Sequence, residues 1–145
     1  MKILNSAFLW LKTKICKIWN DGIVITNSSI PKYTSWFISV YAITLYPFVF
    51  IKDEGNPRTI RHERIHLRQQ REMFIIGIFF FYILYVGFWL YHLVRLRNSE
   101  KAYFSIPFER EAFDNDEDEN YLKNRKWLAW IKYINQNESD QSSSS

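Results

Sequence analysis

The sequence predicts an α+β fold, mostly helical, with a small β-sheet beside a helix that carries two histidines. Three observations predict it. Residues from Arg58 onward repeat with helical period after an Asn56-Pro57 start, and a second start stands at Ser105-Ile106-Pro107. Two short stretches, Gly22 to Thr26 and Tyr41 to Ile51, are rich in β-branched and aromatic side chains. Four Gly and four Pro in 145 residues are too few for a loop-dominated chain. The length suits one domain, placed at residues 21–134, after an N-terminal helix over 1–20 and before a polar tail over 135–145.

In chain order, Met1 to Trp19 spaces four lysines among Leu, Ile, Phe and Trp. Its apolar run, Ala7 to Leu11, is too short for a signal-peptide core, so the stretch reads as a basic amphipathic helix. Such a helix lies on a membrane surface or packs on the domain with its lysines in water. Asn20-Asp21-Gly22 is a turn, and Gly22 to Thr26 a strand. Tyr41 to Ile51 reads as a second strand with Pro47 at an edge or bulge. Asn56 caps the next helix and Pro57 takes its first position. On it, Arg61, Arg64, Arg68 and Arg71 form one stripe, expected to be solvated or to touch lipid headgroups. Met73 to Val94 is uncharged and long enough to cross a bilayer, with arginines at both ends. His92 within it reads as a packed side chain. A last helix is expected from Pro107 through the acidic stretch into Tyr121-Leu122. The tail ends in four serines and is expected to be disordered.

Aromatic residues make up 19% of the chain, which suits a lipid interface as well as a core. One cysteine, Cys16, excludes an intrachain disulfide and a thiolate zinc cluster. The net charge of +4 hides a segregation. Glu109 to Glu119 holds seven acids and one base, so the rest of the chain keeps 18 of the 19 bases and 8 of the 15 acids. That basic body favours anionic lipid as a partner. No recognition motif for nucleic acid is present. The expected location is membrane-associated or cytoplasmic.

Chemistry concentrates in His62-Glu63-Arg64-Ile65-His66, an H-E-x-x-H pattern that uses two of only three histidines. Four residues apart on a helix, the two imidazoles stand one above the other and can share one metal ion. Glu63, beside them, is placed to take a proton from a water molecule. The third ligand must come from elsewhere, and Glu109 and Glu111 are the candidates. Being two apart on a helix, only one of them can face the histidines.

His62-Glu63-x-x-His66-x-x-Gln69-Gln70, followed by Glu109-Arg110-Glu111-Ala112, resembles the gluzincin metallopeptidases, and most closely small, minimal members. The resemblance covers roughly residues 41–126. It implies zinc as cofactor, His62, His66 and Glu109 as its ligands, Glu63 as catalytic base, and a peptide or protein substrate. It implies an edge strand for that substrate within Thr44 to Ile51, and Ala112 as the small residue that lets two helices approach. The family places an Asp where this chain has Phe113, which leaves Asp114 and Asp116 as substitutes for orienting a histidine. Gln69 and Tyr103 join them as supporting residues, with Tyr103 a candidate donor to the transition state. The alternative function is a non-catalytic metal-binding or scaffold protein at a membrane surface.

Site and span also conflict. A straight crossing by Met73 to Val94 would part His66 from Glu109, so the long apolar helix is expected to fold back beside the motif helix or to lie in the membrane interface.

Overall fold

The computed structural model describes residues 2–31, 41–73 and 78–134, with the backbone alone at residues 2–9 and 78. The tail over 135–145 and the start of the apolar run at 74–77 lie outside the described residues. The fold is mostly helical with one three-stranded sheet.

Helix α1 (Lys2–Asp21) ends at Gly22, whose φ of +68° favours glycine. A Cβ there would stand 2.4 Å from Leu67 Cδ1 and 2.9 Å from the Pro47 carbonyl, so both conformation and space require glycine. The chain then enters β1 (Ile23–Ile25). Strands β2 (Ala42–Leu45) and β3 (Phe48–Ile51) form a hairpin around Tyr46-Pro47, joined by a cis peptide bond. The single strand expected over Tyr41 to Ile51 is therefore two. Pro47 has no N–H to give to a ladder, and the chain reverses there. β3 is central, parallel to β1 in the register Val24 to Val49 and antiparallel to β2 in the register Thr44 to Val49. β1 and β2 are the edge strands among the described residues.

Helix α2 (Pro57–Glu72) starts as its sequence requires. The Asn56 side chain accepts from the Thr59 N–H at 2.8 Å, and Pro57 needs no partner for an N–H it lacks. Leu67 packs with Val49 and Ile51 under the sheet. The arginine stripe is not the solvated face expected of it. Arg61 donates to the Asp116 carbonyl at 2.7 Å, and Arg71 donates to the Asn20 side chain at 3.0 Å. The stripe joins α2 to the acidic loop and to the end of α1 because both present acceptors to it.

Helix α3 (Ile78–Leu96) is followed by α4 (Ser99–Phe104), α5 (Pro107–Asn115) and α6 (Tyr121–Asn124), then a 3₁₀ turn at Ala129–Ile131. Phe108, fully buried, centres this half of the molecule, its ring 4.7 Å from Phe81 and 4.6 Å from Trp130. Burying one such ring contributes about 1.5–3 kcal/mol. α5 stops at Asn115 and does not run through the acidic stretch as expected. A longer helix would stack Asp114 on Asp118 one turn on and put acids at its negative end.

Candidate metal centre

Helix α2 offers His62 and His66 from adjacent turns, and the first turn of α5 offers Glu109 across from them. All three are buried. His62 Nε2 lies 3.2 Å from His66 Nε2 and 3.3 Å from Glu109 Oε2, and His66 Nε2 lies 3.3 Å from Glu109 Oε1. Ligand atoms about 2.0–2.2 Å from one ion in tetrahedral array stand roughly 3.3–3.6 Å apart. The three side chains therefore have the spacing of one face of a metal site, and they could hold a metal ion.

The proton arrangement agrees. Gln69 Nε2 donates to the Phe108 carbonyl at 3.0 Å and to Glu111 Oε2 at 3.1 Å, which turns its Oε1 toward His66 Nδ1 at 2.8 Å. An amide oxygen only accepts, so His66 Nδ1 carries a proton. His62 Nδ1 lies 3.3 Å from Asp116 Oδ2 and donates to it. Both Nε2 lone pairs then point at each other and at a carboxylate, a cluster of acceptors that needs a cation. Without a metal, a proton meets that need. Burial pulls the His66 pKa down, but the Glu109 carboxylate outweighs it and holds the ring up at about 9. Burial pushes Glu109 up, and the two imidazoles more than reverse this, holding it well below the usual carboxylate range.

Asp116 is the residue that orients His62. Arg58 Nε donates to its Oδ1 at 2.8 Å, which leaves Oδ2 for the imidazole. The last turn of α5 ends one residue earlier, and that break swings Asp116 back over α2. Asp114 is exposed. Phe113 packs its ring 4.4 Å from that of His62. Glu111 faces away from the His62, His66 and Glu109 cluster. Its carboxylate accepts from Arg125 Nε at 2.5 Å, Tyr121 Oη at 2.8 Å and Gln69 Nε2 at 3.1 Å. Arg125 also binds Glu72, so one buried guanidinium holds two buried carboxylates. Through Gln69 this ion network fixes the ring of His66.

Beside the cluster opens a pocket of about 250 Å³ with Glu63, His66 and Glu109 on one wall. Glu63 Oε2 accepts from Thr44 Oγ1 at 2.5 Å. The rest of its lining includes Phe81, Tyr82, Tyr85 and Tyr103. Tyr85 Oη donates to Glu109 Oε1 at 2.5 Å. Burial, aided by Glu109, raises the Tyr103 hydroxyl far above its ordinary range and keeps it a donor. Strand β2 forms the rim. Its Thr44 carbonyl accepts from Gln70 Nε2 at 2.8 Å and Tyr82 Oη at 2.9 Å, and Gln70 Oε1 accepts from the Tyr46 N–H at 2.8 Å. Of the edge expected within Thr44 to Ile51, only Thr44 and Leu45 lie on an edge strand, because β3 is enclosed by its neighbours.

Sequence reasoning missed Tyr82 and Tyr85, and it gave Thr44 and Gln70 no contact of their own in the site. The tyrosines sit three apart with Phe81 and Phe88 within a run read as an uncharged span. That spacing was the signal for a face turned inward.

Fold and site together define a class: a mostly helical α+β protein with a buried two-histidine, one-carboxylate cluster beside a glutamate-lined pocket. Compared with protein-family models, curated proteins and solved structures, the chain finds no match. Its functional reading rests on the geometry.

Proposed function

We propose that the protein is a zinc-dependent peptidase of the gluzincin kind. The observation that carries this is the trio His62, His66 and Glu109 at ligand spacing, with Glu63 on the wall of the same pocket. Two imidazoles and one carboxylate with a side left open suit zinc in a catalytic role. Bound there, zinc would supply a Lewis acid that polarises a carbonyl and makes water more acidic. His62 and His66, their Nδ1 protons engaged by Asp116 and Gln69, would hold the ion through Nε2. Glu63 would take the proton from the attacking water and pass it to the leaving amine. Thr44 Oγ1 keeps the Glu63 carboxylate in place. Tyr103 lines the pocket and offers an O–H to the carbonyl oxygen as it gains charge. The β2 edge would pair with the peptide backbone.

Two measurements test this. The purified protein should carry about one equivalent of zinc; no more zinc than in a His62→Ala/His66→Ala double variant would sink the reading. Glu63→Gln should keep the zinc and abolish cleavage of a peptide library, and unchanged turnover would remove Glu63 from the mechanism.

One observation favours a second reading. Gln70 and Tyr82 already occupy the Thr44 carbonyl and Tyr46 N–H, part of the edge that a bound peptide would use. A non-catalytic metal-binding scaffold needs no such edge, and it would retain zinc yet cleave nothing in the same assays. Either way we place the protein at a membrane. Phe79–Leu96 is long and apolar enough to cross one, yet only 11% of it is buried, with Phe79 and Val94 each 78% exposed.

A further inference from the structure

Helix α1 leaves its apolar stripe uncovered. A surface helix buries its apolar stripe against the body and shows its polar face to solvent. On α1, Leu11, Ile15 and Ile18 fall within roughly 60° of arc and form one stripe. They are 52%, 58% and 38% exposed. Thr13, Cys16 and Asn20 fall roughly opposite, 140–200° from Leu11. Those polar residues, with Lys17 and Asp21, line a cleft whose other wall is Arg68 of α2 and Leu122 and Lys123 of α6. The helix meets its own protein through Trp19 and Asn20 at its end, Thr13 and Cys16 stay exposed along the open cleft, and the apolar stripe is left uncovered.

Charge decides what covers that stripe. Lys12 and Lys14 flank it on its two sides, with Lys17 beyond Lys14, and from Lys2 to Asn20 the helix contains no acid. Two copies packed stripe to stripe would bring lysines against lysines. An anionic lipid surface would pair with them instead. Trp10, 60% exposed with Lys14 Nζ 5.4 Å from its ring, and Trp19, 47% exposed, are residues that favour the headgroup layer. Trp19 also ties the helix end to the body through Arg71, which lies over its ring.

We propose that α1 lies in the surface of an anionic bilayer, with Leu11, Ile15 and Ile18 in the lipid and Lys12, Lys14 and Lys17 at the headgroups. This deepens the membrane placement given above and is independent of the zinc reading. It makes the protein selective for a membrane face rich in anionic lipid.

The test is binding of the full chain to phosphatidylcholine vesicles with and without phosphatidylglycerol. Wild type should bind the anionic vesicles more tightly, and the excess should shrink with added salt. The Lys12→Gln/Lys14→Gln/Lys17→Gln variant should lose roughly a hundredfold in affinity for anionic vesicles and nothing for neutral ones. Ile15→Glu should weaken binding to both. Unchanged thermal unfolding of these variants would show that only the surface was altered, and a lowered melting temperature in both would overturn the proposal, since α1 would then be packed. Equal wild-type binding to the two vesicles overturns the lysine role and leaves the membrane placement standing. No binding to either removes both. A dimer that Ile15→Glu converts to monomer, with vesicle binding unchanged, would assign the stripe to a second copy and overturn the proposal.

Discussion

Two carboxylates on α5, Glu109 and Glu111, are both buried, yet their partners differ in kind. Glu109 meets two imidazoles and a tyrosine, and Glu111 meets a guanidinium. Glu109→Ala should therefore abolish tight zinc binding in a calorimetric titration while the protein stays folded. Glu111→Ala should leave a folded fraction that still binds zinc but lower stability by about 3–5 kcal/mol, because Arg125 and Glu72 lose their shared arrangement. The reverse order would move the ligand by two residues. A pH prediction follows from the same cluster without metal. The His66 pKa is raised from 6.5 to about 9, so its contribution is full below 6.5 and lost as pH rises through 9. The Glu109 pKa is lowered from 4.5, so its contribution is present above 4.5 and lost as pH falls toward its folded value. Metal-free protein should melt highest between these limits, and His66→Ala should flatten the alkaline limb. At this scale much was legible in the sequence. His62, Glu63 and His66 follow from helical spacing, and Glu109 from a resemblance. The choice of Asp116 over Asp114 was not legible, because it depends on where α5 breaks, which acid repulsion sets and no spacing reports.

Among the elements, the ends of α2 were legible because Asn56 and Pro57 act locally. The hairpin was not. Tyr41 to Ile51 has the composition of one strand, and only the pairing of β2 with β3 shows that Pro47 lies at the reversal. Two glycines test how far elements are fixed by contacts. Gly22→Ala should cost about 1–3 kcal/mol, since φ is positive and Leu67 and Pro47 crowd the added carbon. Gly87→Ala should instead stabilise by about 0.5–1 kcal/mol, because Gly87 is mid-helix in α3 with nothing within 4 Å of the new Cβ. Thermal unfolding of both variants checks the pair; equal shifts would contradict the packing at the end of α1.

For the whole molecule the decisive relation is between α3 and the His62, His66 and Glu109 cluster. The apolar window Phe79–Leu96 is 18 residues, about 27 Å of helix, close to a bilayer core in length. Length alone made it a crossing candidate, and tertiary pairing argues otherwise. Tyr82 donates to the β2 rim and Tyr85, near the middle of α3, donates to Glu109. Phe81 and Phe88 lie against Phe108 of α5. Were α3 perpendicular to a bilayer and within it, α5 and the sheet edge would be drawn in beside it, along with Arg58, Arg61 and the acids Asp116, Glu117 and Glu119 that pair with them. Charges at that depth cost several kcal/mol each, about 2.5–3.5 on insertion scales. An orientation along the surface costs none of this and still covers Phe79, Ile83, Val86, Leu90 and Val94. The elements before and after α3 should therefore lie on one side of the membrane. Single cysteines at the exposed positions Glu54 and Asp114, in a Cys16→Ser background, report this in sealed proteoliposomes. A membrane-impermeant maleimide should label both or neither. One labelled and one protected would place His66 and Glu109 on opposite faces, and the cluster of three ligands could not form.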